Sequence, residues 1–177
     1  MIREFSTVAK PTNKKAHMAF AALTSIAIAL ILTSMLIELY RGIVSLLGVA
    51  AFAAALIIYS RYVSSLYYYD ITFDSEGTAL FVVRQLIGKR ETTLCRIALY
   101  EIKKIESESP KQAREHRTPM GFKKYSYLPT LMPNVSYRIT SVSRYEKSEI
   151  IIEASEEYIN LLRTYAAEAR DNYIEEE

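Results

Sequence analysis

Residues 18–37 read MAFAALTSIAIALILTSMLI and residues 42–60 read GIVSLLGVAAFAAALIIYS, with only Glu38, Leu39, Tyr40 and Arg41 between them. Neither run contains a charge. A helix rises about 1.5 Å per residue, so twenty residues span about 30 Å, the hydrocarbon thickness of a bilayer. Two such runs with so short a link must lie side by side and antiparallel, as a transmembrane hairpin. Two adjacent uncharged runs of this length are rare in the core of a soluble domain. A cleaved signal has a shorter apolar stretch followed by a small-residue site. Here the first run leads straight into the second, so it is expected to be retained. Neither run holds an ionisable group, and neither offers a proton relay or an ion site.

The flanks orient the hairpin. Arg3, Lys10, Lys14 and Lys15 stand against Glu4 before the first run, whereas Arg41 in the link is offset by Glu38. Cations prefer the cytoplasmic side, which puts residues 1–17 there as a basic tail. Two spans then return the rest of the chain to the same side. The expected location is the cell membrane, multi-pass, with both termini cytoplasmic. Tyr40, Tyr59 and Tyr62 fall at the run boundaries, where a ring is apolar and its hydroxyl wet. Small residues recur four apart at Ala21, Ser25 and Ala29, at Ala50 and Ala54, and at Ala51 and Ala55. Such faces let helices approach closely.

The hydrophobic half of the chain is concentrated in this region: 33 of the 43 residues from 18 to 60 are apolar. Beyond it the period changes from helical to two. Tyr69, Ile71 and Phe73 alternate with Asp70, Thr72 and Asp74, as in a half-buried strand. Gly77 sits in a turn, where it can take positive φ. Further strands are expected over 79–87, 91–97, 103–108, 124–128, 135–140 and 149–154, with a helical turn over 98–102 and a polar interruption over 109–123. Ser155 is placed to cap a final helix, with Glu156 and Glu157 at its positive end. Tyr158, Leu161, Leu162, Tyr165 and Ala169 form its apolar stripe. Residues 171–177 are an acidic tail.

The expected fold is an α+β membrane protein. An N-terminal transmembrane helical hairpin (18–62) precedes an antiparallel β barrel or sandwich capped by a C-terminal α-helix (67–170). Several segments carry a resemblance: Tyr69-Asp70-Ile71-Thr72-Phe73, Glu76-Gly77, Gly88-Lys89-Arg90-Glu91, Ile102-Lys103-Lys104-Ile105-Glu106, and the closing run from Ile150 to Tyr158. In layout and hydrophobic pattern the chain resembles bacterial membrane proteins with two transmembrane helices and a bacterial pleckstrin-homology-like (PH-like) domain. That family has no common activity, so the resemblance implies fold and location and leaves mechanism open.

No catalytic arrangement emerges from the residues. The two histidines, His17 and His116, have neither a second histidine nor a cysteine at ligand spacing, and no phosphate-binding or nucleophile-elbow motif occurs. The single cysteine, Cys95, reads as a buried strand residue, and one cysteine excludes an internal disulfide. His116 beside Glu115 reads as part of a solvated loop. The chain is therefore taken as non-enzymatic, with no cofactor and no metal.

Overall charge is nearly balanced, with 22 Lys and Arg against 20 Asp and Glu. Residues 64–177 carry a net of −2, which disfavours nucleic acid. Locally the balance differs. Lys103, Lys104, Lys111, Arg114, Arg117, Lys123 and Lys124 face only Glu106, Glu108 and Glu115, and Lys89 and Arg90 make a second basic turn. These nine cations read either as a solvated surface or as a contact for anionic lipid headgroups or a partner, since each cation held near an anionic leaflet contributes about 1 kcal/mol. The resulting expectation is a membrane-anchored scaffold or adaptor whose PH-like domain binds protein or lipid at the cytoplasmic face. The alternative is an accessory subunit of a membrane transporter or envelope complex. A protein partner or a second copy of the chain is expected, besides the membrane itself.

Overall fold

The structure is a computed structural model that describes residues 3–9 and 14–176. The chain divides into two compact units, Pro11–Ser65 and a second formed by Met1–Lys10 together with Leu66–Glu177.

The first unit is the helical hairpin. Helix α1 runs Lys14–Leu36 and α2 runs Arg41–Ile58, continued by a π-helical turn at Tyr59–Val63. Both helices are long and apolar enough to cross a membrane, and only 11% of each apolar window is buried inside the protein. A soluble core helix would bury most of that surface. Leu32, Leu36, Leu46 and Ile57 are instead exposed, which suggests membrane association. Two hydroxyls near the end of α1 are satisfied locally: Thr33 donates to the Ala29 carbonyl at 2.7 Å and Ser34 to that of Ile31 at 2.7 Å. Such back-bonding removes the cost of a bare hydroxyl in an apolar medium. The buried residues of the hairpin helices are Ala16, Ala27 and Ser34 of α1 and Gly48 and Ala55 of α2. Of the small residues singled out from sequence, Ala55 is buried, whereas Ala21, Ser25, Ala29 and Ala50 point outward. At Gly48 the approach is closest. A Cβ there would lie 2.9 Å from Ile31 Cγ1 and 3.2 Å from the Ala27 carbonyl oxygen.

Among the described residues, the second unit holds eight strands in two four-stranded sheets. They are β1 (Phe5–Ala9), β2 (Ser65–Phe73), β3 (Ala79–Ile87), β4 (Arg90–Ala98), β5 (Ile102–Glu108), β6 (Phe122–Tyr127), β7 (Ser136–Val142) and β8 (Lys147–Ile152). One sheet has the order β1-β2-β3-β4 and the other β5-β7-β8-β6. A 3₁₀ turn at Leu99–Glu101 joins them, α3 (Pro110–Glu115) follows β5, and α4 (Glu156–Glu176) closes the chain.

Four features correct the expected layout. The sheets do not close into a barrel. Strand β6 runs parallel to β8, with Tyr125 opposite Ile150, so the set is not wholly antiparallel. The tight β7–β8 turn makes those two strands an antiparallel hairpin, and β6 takes the remaining edge of β8. Alternation in a sequence records which face is buried, not which strand lies beside it or in which direction. The polar interruption contains α3. Finally, the basic tail supplies an edge strand: β1 pairs antiparallel with β2, from Phe5 opposite Ile71 to Ala9 opposite Tyr67.

Both sheets and α4 share one core. Tyr69, Ile71, Phe81 and Val83 of the first sheet, Ile139, Ile150 and Ile152 of the second, and Tyr158, Ile159 and Leu162 of α4 belong to it. Two tyrosines stitch the sheets across it. Tyr69 donates its hydroxyl to the Tyr127 carbonyl at 2.8 Å, and Tyr127 donates to that of Leu94 at 3.2 Å. Ser155 caps α4 as expected, accepting from the Tyr158 amide at 3.3 Å.

Candidate functional site

The nine cations singled out from sequence do not converge. Lys89 lies in the β3–β4 turn, where Gly88 takes φ +61°, and Arg90 opens β4. Lys103 and Lys104 are on β5, and Lys123 and Lys124 are on β6, which form opposite edges of the second sheet. Lys111 and Arg114 ride on α3, and Arg117 follows it. Among the described residues, two of the nine are paired: Lys104 with Glu106 at 2.7 Å and Lys123 with Glu146 at 2.8 Å. Glu146 also accepts from the Tyr125 hydroxyl at 2.9 Å. These two bonds hold its carboxyl below the usual range, and the same contact raises Lys123.

Segment 109–121 organises the outer face of the second sheet. The run Ser109-Pro110-Lys111-Gln112 is a capping box with proline at the first helical position. The Ser109 hydroxyl accepts from the Gln112 amide, and the Gln112 side chain accepts from the Ser109 amide at 2.9 Å. The strand register puts Glu106, Arg138 and Ile151 in one row on that face, and Lys104, Thr140, Glu149 and Lys124 in the next. Arg138 pairs with Glu108, and both are at least nine-tenths buried. His116 reaches Glu149, 3.0 and 3.2 Å from its two carboxylate oxygens. His116 was expected in a solvated loop beside Glu115; it is half-buried and held to a buried carboxylate 33 residues away. A cleft of about 400 Å³ lies here, bounded by Glu106, Glu115, Gln112 and the two pairs' Glu108, Arg138 and His116. Of its charged groups, Arg138 and Glu108 pair with each other, Glu106 with Lys104 and His116 with Glu149, and no group of three His, Cys, Asp or Glu suited to a metal ion occurs among the described residues.

A second cleft, of about 480 Å³, lies where β5, the β7–β8 turn and α4 meet. Lys103 opens β5, Arg144 and Tyr145 are in the turn, and Arg170 and Tyr173 are on α4. Tyr100, from the 3₁₀ turn, stacks on Tyr173 with ring centres 4.3 Å apart and planes 10° from parallel. The turn is closed by the Ser143 amide donating to the Glu146 carbonyl at 2.9 Å. Arg170 anchors its Nε on the Ala166 carbonyl at 3.2 Å, which leaves the end of its guanidinium for other contacts. One carboxylate, Glu101, lines the same space. Neither Lys103 nor Arg144 has an ion-pair partner among the described residues. Only Lys103 was flagged by sequence. Arg144 reads as a turn residue and Arg170 as part of a helix, 41 and 67 positions further on, and no linear pattern joins them.

Cys95 packs against the core. Burial pushes its thiol up to about 11, so it is neutral near pH 7 and a poor nucleophile. Burial likewise pushes Tyr127 up to about 12. Arg84, also missed from sequence, pairs with the buried Asp70 and with Glu91, and lies 5.5 Å from the centre of the Tyr68 ring. Those carboxylates raise its pKa further. Compared with known proteins, the chain matches no family model and no curated protein.

Proposed function

We propose that the chain is a two-span membrane protein that presents its sheet domain at the cytoplasmic face as a binding module, an adaptor rather than an enzyme. The observation that carries this reading is the pairing of β1 with β2. The chain leaves the sheet at Ala9 and, after the whole apolar hairpin, re-enters it in β2, where Tyr67 lies opposite Ala9. A two-span insertion needs its two ends on one side, and this register ties them together. The basic flank of the first span supports the cytoplasmic side. The domain is read as PH-like: two sheets share a core with a C-terminal helix, while the parallel β6 is a departure from an all-antiparallel layout. Tethering gives such a module its value, because it raises local concentration at the membrane without new contacts.

The test is a crosslinked pull-down from intact membranes, using the full chain and a version with an unrelated two-span hairpin. An adaptor keeps its partner in both. A partner lost with the native hairpin favours the accessory-subunit reading, in which the outward Ala21, Ser25 and Ala29 face docks on another helix. Recovery of no stoichiometric partner in either case contradicts both.

A further inference from the structure

We infer that the cleft between Tyr100, Lys103, Arg144 and Arg170 is a binding site for a phosphate monoester; this rests on reading the domain as a binding module. Three cations reach it from three different elements: a strand start, a hairpin turn and a helix. With Glu101 the local balance is +2, which matches the roughly −1.5 to −2 charge of a phosphate monoester near neutral pH. Among the described residues, Lys103 and Arg144 are not spent on carboxylates, whereas Lys104 and Lys123 are. Arginine suits this ligand because its planar fork donates two parallel hydrogen bonds to a pair of phosphate oxygens, while lysine adds a point charge. Tyr145 is 91% exposed beside them. It offers a ring face and a hydroxyl to whatever carries the phosphate. The stacked Tyr100 and Tyr173 make a second, preformed aromatic wall, and the volume of about 480 Å³ lies within the usual range for small-ligand sites.

The phosphate has two possible carriers, a soluble metabolite or a lipid headgroup, and one readout separates them. The full chain is placed in phosphatidylcholine nanodiscs and its thermal midpoint is followed. In one arm phenyl phosphate is added, with phenol as the control lacking phosphate. In the other, phosphatidic acid is mixed into the disc. A ligand that binds only the folded state raises the midpoint. The expected result is a rise with phenyl phosphate and not phenol, or a rise with phosphatidic acid. A rise with phenyl phosphate alone identifies a soluble carrier, and a rise with phosphatidic acid, with or without the first, a headgroup. Arg144→Gln with Arg170→Gln should abolish the rise while leaving the unliganded midpoint close to wild type. If that pair proves unstable alone, Arg144→Gln in the exposed turn serves instead. Lys111→Gln with Arg114→Gln should keep the full rise. No rise in either arm, or a rise that survives loss of the cleft arginines, overturns the inference. A rise lost only with the α3 variants assigns the binding to the basic loop instead, leaving the adaptor reading intact.

Discussion

Arg138 is the residue that most constrains the second sheet. Its strand alternation puts it on the outer face of a sheet whose inner face carries Tyr137 and Ile139, yet it is as buried as they are. Its guanidinium is matched to Glu108, so burial costs two desolvations recovered only while both partners stay. Arg138→Met should therefore destabilise the domain by about 3–5 kcal/mol, whereas adding Glu108→Leu should return most of that loss. Chemical denaturation of the two variants measures the difference. Glu146 makes a contrasting surface contact. Its carboxyl is held below the ordinary value of 4.5 by Lys123 and Tyr125, so its contribution is present above that value and is lost as pH falls through the lowered one. E146Q should melt slightly below wild type at neutral pH, and the gap should close toward pH 3. A gap that widens on acidification would show that the carboxylate is not what holds the turn.

At the level of elements, what could be read in advance follows from what periodicity encodes. The two apolar helices, β3, the helical turn before β5 and the Ser155 cap carry local signals, and each forms close to where it was expected. The edge strand β1 does not. Phe5-Ser6-Thr7-Val8-Ala9 has no long alternation and is stabilised by a partner strand 58 to 66 residues away. Helix α3 had a usable signal in Ser109-Pro110-x-Gln112, obscured by the prolines and Gly121 around it. The clefts were illegible for another reason: Lys103, Arg144 and Arg170 are joined by strand order, which no linear pattern reports. Inside the hairpin the decisive position is Gly48, because a Cβ there meets a backbone oxygen as well as Ile31. Gly48→Leu should force the helices apart at a cost of about 1–3 kcal/mol. Unfolding of the full chain in detergent is the measurement, and an unchanged midpoint would mean that the helices are not packed at this position.

For the whole molecule, the sheet register ties topology to folding. Because β1 precedes the hairpin and β2 follows it, the first sheet is completed only after both helices have been made. A single crossing, or a hairpin lying outside the membrane, gives a different pattern of access to the link and to the sheet domain. Leu39 in the α1–α2 link and Met120 before β6 are both exposed, so each can report its side. In a Cys95→Ala background, L39C and M120C would be labelled with a membrane-impermeant maleimide in sealed vesicles of both orientations. M120C should react only in inside-out vesicles and L39C only in right-side-out ones. Labelling of both positions from the same face would contradict a two-span protein with its sheet domain in the cytoplasm.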